Sequence, residues 1–176
     1  MSCEITKGRL EPCKDSVGGV KNIYIVNYNS SIFDAGTVTN AELTAVVDEY
    51  PAFKFELRGE NSFEEVGNTD RGAGTTFFET TATLVLKKQD KETQKELQLL
   101  AYGRPHIIAE DYNGNLRLFG FENGGEVAVT SVSGANMEDL NGYNLEVTFR
   151  ERTMAPFVDP TLMSATTQGT GFLIVP

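Results

Sequence analysis

The chain has 176 residues, 40% of them hydrophobic, enough apolar material for one compact core and within the range of a single domain. Lys and Arg number 15 against 25 Asp and Glu, a formal charge of -10 that argues against a basic groove for nucleic-acid affinity. Residues 1–7 hold no apolar run of signal-peptide length and no stretch approaches the roughly 20 apolar residues of a membrane span, so synthesis inside the cell without membrane insertion is expected.

Eleven Phe, six Tyr and no Trp, with abundant Thr and Val, favour pleated and half-buried surface. Residues 1–19 lack periodicity and end in the turn-rich Asp15-Ser16-Val17-Gly18-Gly19, which predicts an N-terminal arm ahead of a first strand over Val20–Val26. Asn27–Asn40 reads as a loop, and Ala41–Asp48 is ambiguous between a helical turn and a strand. Phe53-Lys54-Phe55-Glu56-Leu57-Arg58 alternates apolar with charged residues, the mark of a strand with one face buried. A shorter strand is expected within Glu60–Val66, and Gly67–Gly74 reads as a long mobile loop. Thr75–Leu86 alternates again and is expected to be the longest strand, with Phe78, Thr80, Ala82, Leu84 and Leu86 on one face and Phe77, Glu79, Thr81, Thr83 and Val85 on the other.

One helix is predicted over about 90–102, with Asp90 capping the orphan amides at Thr93 or Glu92 and Gly103 beyond its end. After Arg104-Pro105, the Asn113-Gly114 dipeptide between His106–Asp111 and Leu116–Phe121 is a strong hairpin signal. Turns at Asn123-Gly124-Gly125 and Asn141-Gly142 introduce Glu126–Thr130 and Tyr143–Phe149, so a meander is expected to follow the helix. From Arg152 the pattern lapses into a C-terminal arm, 153–176, whose apolar end Phe172-Leu173-Ile174-Val175 has to dock on a neighbouring subunit or on its own core. The fold class is mainly β: an antiparallel β-sandwich or half-barrel with one flanking helix, one domain with a core at 20–152.

Chemistry-bearing residues are few. The lone histidine, His106, starts a predicted strand without a nucleophile motif, so a hydrogen-bonded structural role is expected. Cys3 and Cys13 are too sparse for a disulfide framework or a zinc site. Asp111-Tyr112-Asn113-Gly114-Asn115 with Glu122 mimics a calcium loop, but Leu116 stands where the sharp-turn glycine belongs. Glu110, Asp111, Glu138 and Asp139 read as solvated turn acids and not as a sugar-hydrolysing pair. With no phosphate loop either, the sequence points to no catalytic residue, cofactor or metal.

The stretch Cys13-Lys14-Asp15-Ser16-Val17-Gly18-Gly19-Val20-Lys21-Asn22-Ile23-Tyr24-Ile25 resembles the opening of small virion proteins of phages of Bacteroidetes, including crAss-like phages. The likeness continues at Gly74–Glu79, Leu84–Leu86, Gly103-Arg104-Pro105-His106, Asp111–Asn115 and Asp139–Tyr143. Those proteins are similar to tail-tube subunits, and the resemblance implies a structural virion protein, not an enzyme, that forms rings of the tail around the DNA ejection channel. It implies a homo-oligomer, a hexamer or larger with a dodecamer possible, touching adjacent tail or portal proteins and passing duplex DNA without specific binding. The acidic bias of the chain fits such a conduit as well as it fits a merely soluble protein, because each basic contact in a channel would add a well in which DNA could stick. The implied inter-subunit contacts are Val20, Ile23, Tyr24, Phe63, Arg71, Phe77, Phe172 and Ile174, with both arms binding neighbours and the Gly67–Gly74 loop reaching the next ring. A head–tail adaptor or neck protein, a capsid decoration protein, and a carbohydrate-binding adhesion module are the alternatives.

Overall fold

A computed structural model describes residues 4–33, 38–164, 166 and 169–176. The strands are β1 (Val20–Val26), β2 (Val38–Thr39), β3 (Glu42–Leu43), β4 (Glu49–Glu56), β5 (Ser62–Asp70) and β6 (Thr75–Lys87) ahead of the helix α1 (Lys91–Tyr102). After it come β7 (His106–Asp111), β8 (Leu116–Phe119), β9 (Gly125–Val132), β10 (Gly142–Glu151), β11 (Phe157–Val158), a 3-10 turn at Pro160–Leu162, β12 (Met163–Ser164) and β13 (Gly171–Val175).

Two sheets result. The larger has the order β12-β13-β4-β1-β7-β8-β11-β3-β2 and curls into a half-barrel; the smaller is β5-β6-β10-β9. The main core lies between them, where Ile23, Ile25, Ile107 and Phe119 of the large sheet meet Ala82, Leu84, Leu145, Val147 and Phe149 of the small one. Leu97 closes that core as the one fully buried residue of α1. A second core fills the hollow of the curled sheet, built from Tyr24, Val26, Ile108 and Leu118 beneath Ile32, Leu43, Val158 and Phe172. Strand β1 is therefore apolar on both faces, which is why its sequence reads as a run and not as an alternation.

The helix begins as expected: the Asp90 side chain accepts from Thr93 N at 2.8 Å. Both Asp90 oxygens serve the first turn, and those hydrogen bonds from Thr93 hold the carboxyl below its ordinary value. The predicted meander does not form as a single sheet. The segment 120–124 carries the chain from β8 in the large sheet to β9 in the small one, with Gly120 at φ 77° and Gly124 at φ 71°. A Cβ on Gly124 would strike the Arg104 carbonyl, so the crossing requires glycine there. The Glu151 carboxylate anchors the crossing by accepting from Glu122 N and Asn123 N, while burial pushes its pKa up against those bonds.

The C-terminal segment is not an arm. Strand β13 joins the large sheet parallel to β4, from Gly171 opposite Glu49 to Val175 opposite Phe53. The chain's own core satisfies the apolar end, with Phe172 1% exposed. The N-terminal segment does remain outside: residues 4–19 are exposed throughout, held at Val17 by two hydrogen bonds with Asn113, of 2.9 and 2.7 Å.

Candidate functional site

Strand β5 pairs with β6 along its whole length, from Ser62 opposite Thr83 to Asp70 opposite Thr75. The first half of the expected mobile loop at Gly67–Gly74 is thus strand, and the turn is confined to 71–74. Gly67 lies against the Phe78 ring, which covers the backbone a glycine leaves bare, so cross-strand packing overrides turn-rich composition. At the tip, Asp70 Oδ1 accepts from Gly72 N at 2.7 Å and from Ala73 N at 3.2 Å. Because β10 pairs with β6 only from Phe78 to Lys87, the hairpin end, 68–77, extends past the sheet.

The small sheet has opposed faces. Its inward residues, including Phe63, Leu145, Phe149 and Val129, enter the core. Register places Glu64, Thr81, Thr148 and Glu126 in one outward row, and Ser62, Thr83, Glu146 and Ala128 in the next. Toward the hairpin end the outward row is Val66, Glu79 and Arg150, where Arg150 Nε meets Glu79 Oε2 at 2.7 Å. The outward face is therefore a field of threonine and glutamate with its arginine neutralised in place.

One buried ion pair ties this sheet to the large one. Arg117 Nη2 of β8 lies 2.6 Å from Glu65 Oε2 of β5, and Glu65 Oε1 accepts from Ala155 N at 2.7 Å. The Arg117 guanidinium also rests over the rings of Phe63, Phe119 and Phe157 at 5.3 to 5.6 Å. The inward-facing charge at Glu65 thus has both oxygens engaged.

The two sheets treat their edges differently. The large sheet ends in β12 and β2, two residues each, which offer little backbone to a partner. The small sheet ends in β5 and β9, nine and eight residues long, and among the described residues neither strand has a backbone ladder beyond β6 and β10 respectively.

The other sequence-level candidates fall elsewhere. Val20 and Ile23 lie in the main core, and Tyr24 and Phe172 in the second, so the proposed subunit contacts there are corrected: the chain's own sheets consume their surface. Phe63 and Ile174 are packed against those cores, while Arg71 and Phe77 stand exposed on the hairpin. The Tyr24 hydroxyl, pushed up to about 12 by burial and by its bond to Glu110, donates to Glu110 Oε2 at 2.9 Å. His106 is fully buried; its Nδ1 is 2.5 Å from Gly120 O and its Nε2 accepts from Asn29 N at 3.3 Å. Burial lowers its pKa, so both nitrogens serve neutral backbone contacts. Asp111 spends its carboxylate on Asn113 and Asn115, and although burial opposes it, these bonds keep the acid below its ordinary value. Asp139 likewise holds Ala135 N and Asn136 N in its own turn. Among the described residues no three or more His, Cys, Asp or Glu are grouped to hold a metal ion; Cys3 lies outside them and Cys13 is exposed.

Sequence reasoning missed that the long strands β5 and β9 lie outermost in their sheet. Alternation identifies strands, but which strand lies outermost depends on pairing over long sequence separations. No family model, curated protein or solved structure matches the chain.

Proposed function

We propose that this protein is a structural subunit of a bacteriophage tail, forming closed rings by edge-to-edge pairing of its small sheet around the channel through which DNA is ejected. The observation that carries the reading is the four-stranded sheet whose long outer strands, β5 and β9, pair with no further strand among the described residues, with α1 packed beside β9 and an outward face rich in threonine and glutamate.

All three pairings in that sheet are antiparallel, so its outer strands β5 and β9 run in opposite directions. Rotation about an axis roughly along the strands preserves direction, so β5 of one copy meets β9 of the next as one more antiparallel pair. The two edges differ, which makes the joint heterologous, and heterologous joints close into rings when the rotation permits. Six copies bring about 24 strands; at roughly 4.8 Å spacing and about 40° tilt they enclose a wall roughly 50 Å across, or about 40 Å between side chains. That bore passes a DNA duplex, whereas twelve copies in one wall give roughly 95 Å, far wider than a duplex needs. The carboxylates Glu64 and Glu146, with Glu126 near Arg150, face the bore and repel phosphate, so DNA slides without being held. The hairpin end with Arg71 and Phe77 projects beyond the sheet, toward an adjacent ring or an adjacent tail or portal protein in the virion.

Mass by light scattering and negative-stain imaging of the purified chain at rising concentration test this. Closed annuli or stacked tubes with a central hole are the expected result; a monomer at every concentration overturns it.

A further inference from the structure

His106 ties together parts of the chain that lie far apart in sequence. Its Nδ1 is 2.5 Å from Gly120 O, on the crossing between the two sheets, and its Nε2 is 3.3 Å from Asn29 N, in the loop 27–33 that follows β1. A carbonyl only accepts and an amide N–H only donates, so these two backbone groups fix the ring as the neutral tautomer with its proton on Nδ1. The same loop closes round the ring. Tyr28 stacks on it with centroids 5.0 Å apart, and Phe33 meets it edge-on at 5.1 Å. Phe33 in turn stacks on Phe121 at 4.9 Å and lies 6.5 Å from the Phe172 ring of β13.

Asn29 shapes the loop as well as attaching it. Its Oδ1 accepts from Ser31 N and Ser31 Oγ at 3.0 and 2.7 Å, and its carbonyl accepts from Ile32 N at 3.3 Å. That turn delivers Ile32, 0% exposed, into the second core. A proton on Nε2 sets a second N–H against the Asn29 N–H, so two donors face each other where one bond stood. The surroundings do not welcome the charge: burial first, and then the Arg104 guanidinium, disfavour the imidazolium. Arg104 lies over the Tyr28 ring at 4.1 Å, and the Tyr28 hydroxyl donates to Glu122 O. Among the described residues no carboxylate is bonded to the ring. Glu151 of β10 is spent on Glu122 N and Asn123 N, and the Glu122 side chain faces Arg152 at 3.7 Å. Val26, opposite His106 on β1, and Phe172 on β13 carry no charge.

We propose that His106 is a proton-operated latch: while neutral it holds the loop 27–33 on the second core, and its protonation releases that loop, uncovering Ile32, Phe33 and Phe121, while the two sheets stay folded. The latch belongs to the single subunit and does not depend on ring closure. Once released into water the ring titrates near 6.5, so the hold is complete above that pH and is lost as pH falls below it. With the seated ring still neutral, the opening constant rises about eightfold between pH 6 and pH 5.

His106 is the only histidine, so its two ring nitrogens give one unambiguous pair of signals in histidine-labelled full-length protein. Nuclear magnetic resonance at pH 7 is expected to place the proton on Nδ1. Amide exchange, corrected for its intrinsic pH dependence, is expected to give opening constants for Asn29, Ser31 and Ile32 that rise at least threefold from pH 6 to pH 5. At pH 5 they are expected to exceed those of Leu145 and Val147 in the main core at least tenfold, because the loop opens ahead of the sheets. Glu151→Gln removes the other acid on the crossing and is expected to keep the rise; His106→Gln, which does not titrate, is expected to abolish it. A proton on Nε2 at pH 7, a ring that becomes charged while the three amides stay protected, or a rise under threefold overturns the latch. So do opening constants equal to those of Leu145 and Val147, which mean unfolding of the whole chain, and a rise that vanishes with Glu151→Gln. Should His106→Gln fail to fold, the wild-type tautomer and the comparison between loop and core decide.

Discussion

Replacing Arg117 with methionine isolates the tie between the two sheets. The substitution keeps most of the side-chain volume beside Phe63 and Phe119 but removes the guanidinium 2.6 Å from Glu65. Glu65, whose side chain is 5% exposed, then keeps only the Ala155 N–H for a buried carboxylate. Stranding one partner of a buried pair costs about 3 to 5 kcal/mol. Because the Arg117 side chain is 20% exposed and water can enter where it stood, the lower end applies, about 3 kcal/mol. At about 2 to 4 °C per kcal/mol for a chain of this size, the melting temperature falls by roughly 6 to 12 °C. Urea unfolding at pH 7 by far-ultraviolet circular dichroism measures the loss. Glu65→Gln in the Arg117→Met background removes the stranded charge and is expected to recover about half of it. A loss under about 1 kcal/mol, or no recovery with the amide, refutes the assignment of Arg117–Glu65 as the staple between the sheets.

Leu97→Ala, which empties the helix's single fully buried position, is expected to cost about 3 kcal/mol by the same urea assay; a cost below about 1 kcal/mol would show that α1 is not held by the core. Tyr24 holds its proton in the folded state up to about 12 but releases it near 10 when unfolded, so its contribution is fully present below 10 and is lost as pH rises from 10 to 12. Urea midpoints across that window are expected to fall for the wild type and to flatten for Tyr24→Phe; identical slopes would dismiss the linkage. Replacing Glu64, Glu126 and Glu146 together with lysine touches only the outward face and is expected to leave stability within about 0.5 kcal/mol per site. The same variant is expected to retain duplex DNA at low salt and release it at high salt, read by filter retention, whereas the wild type retains none. Unaltered DNA behaviour in assembled variant rings would remove that face from the channel.

Local physics made much of the fold legible. The Thr75–Leu86 strand, the Asp90-capped helix and the Asn113-Gly114 hairpin all stand where alternation, capping and turn chemistry put them, because each signal acts over a few neighbouring residues. The outward set Phe77, Glu79, Thr81, Thr83 and Val85 was equally readable, since strand period alone separates two faces. The proposed ring starts from the resemblance to virion proteins, and the strand directions of the small sheet bear on how such a ring would close.

Tertiary structure decided everything that depends on distant partners. Period alone could say that Val20, Ile23, Tyr24 and Phe172 had apolar neighbours to find, but not that the neighbours belong to the same chain, and the resemblance placed them at subunit contacts instead. Gly67–Asp70 became strand because Phe78, Phe77, Thr76 and Thr75 lie opposite them, and 171–175 became strand because β4 offered an edge. That the long strands β5 and β9 lie outermost in one sheet, while the other ends in the two-residue strands β12 and β2, follows from the crossings at 57–61, 88–105, 120–124 and 152–156 that divide the strands between two sheets. Pairing energy is shared across the ladder and its register is set by the buried face, so the open edges emerge only once every other strand has been placed.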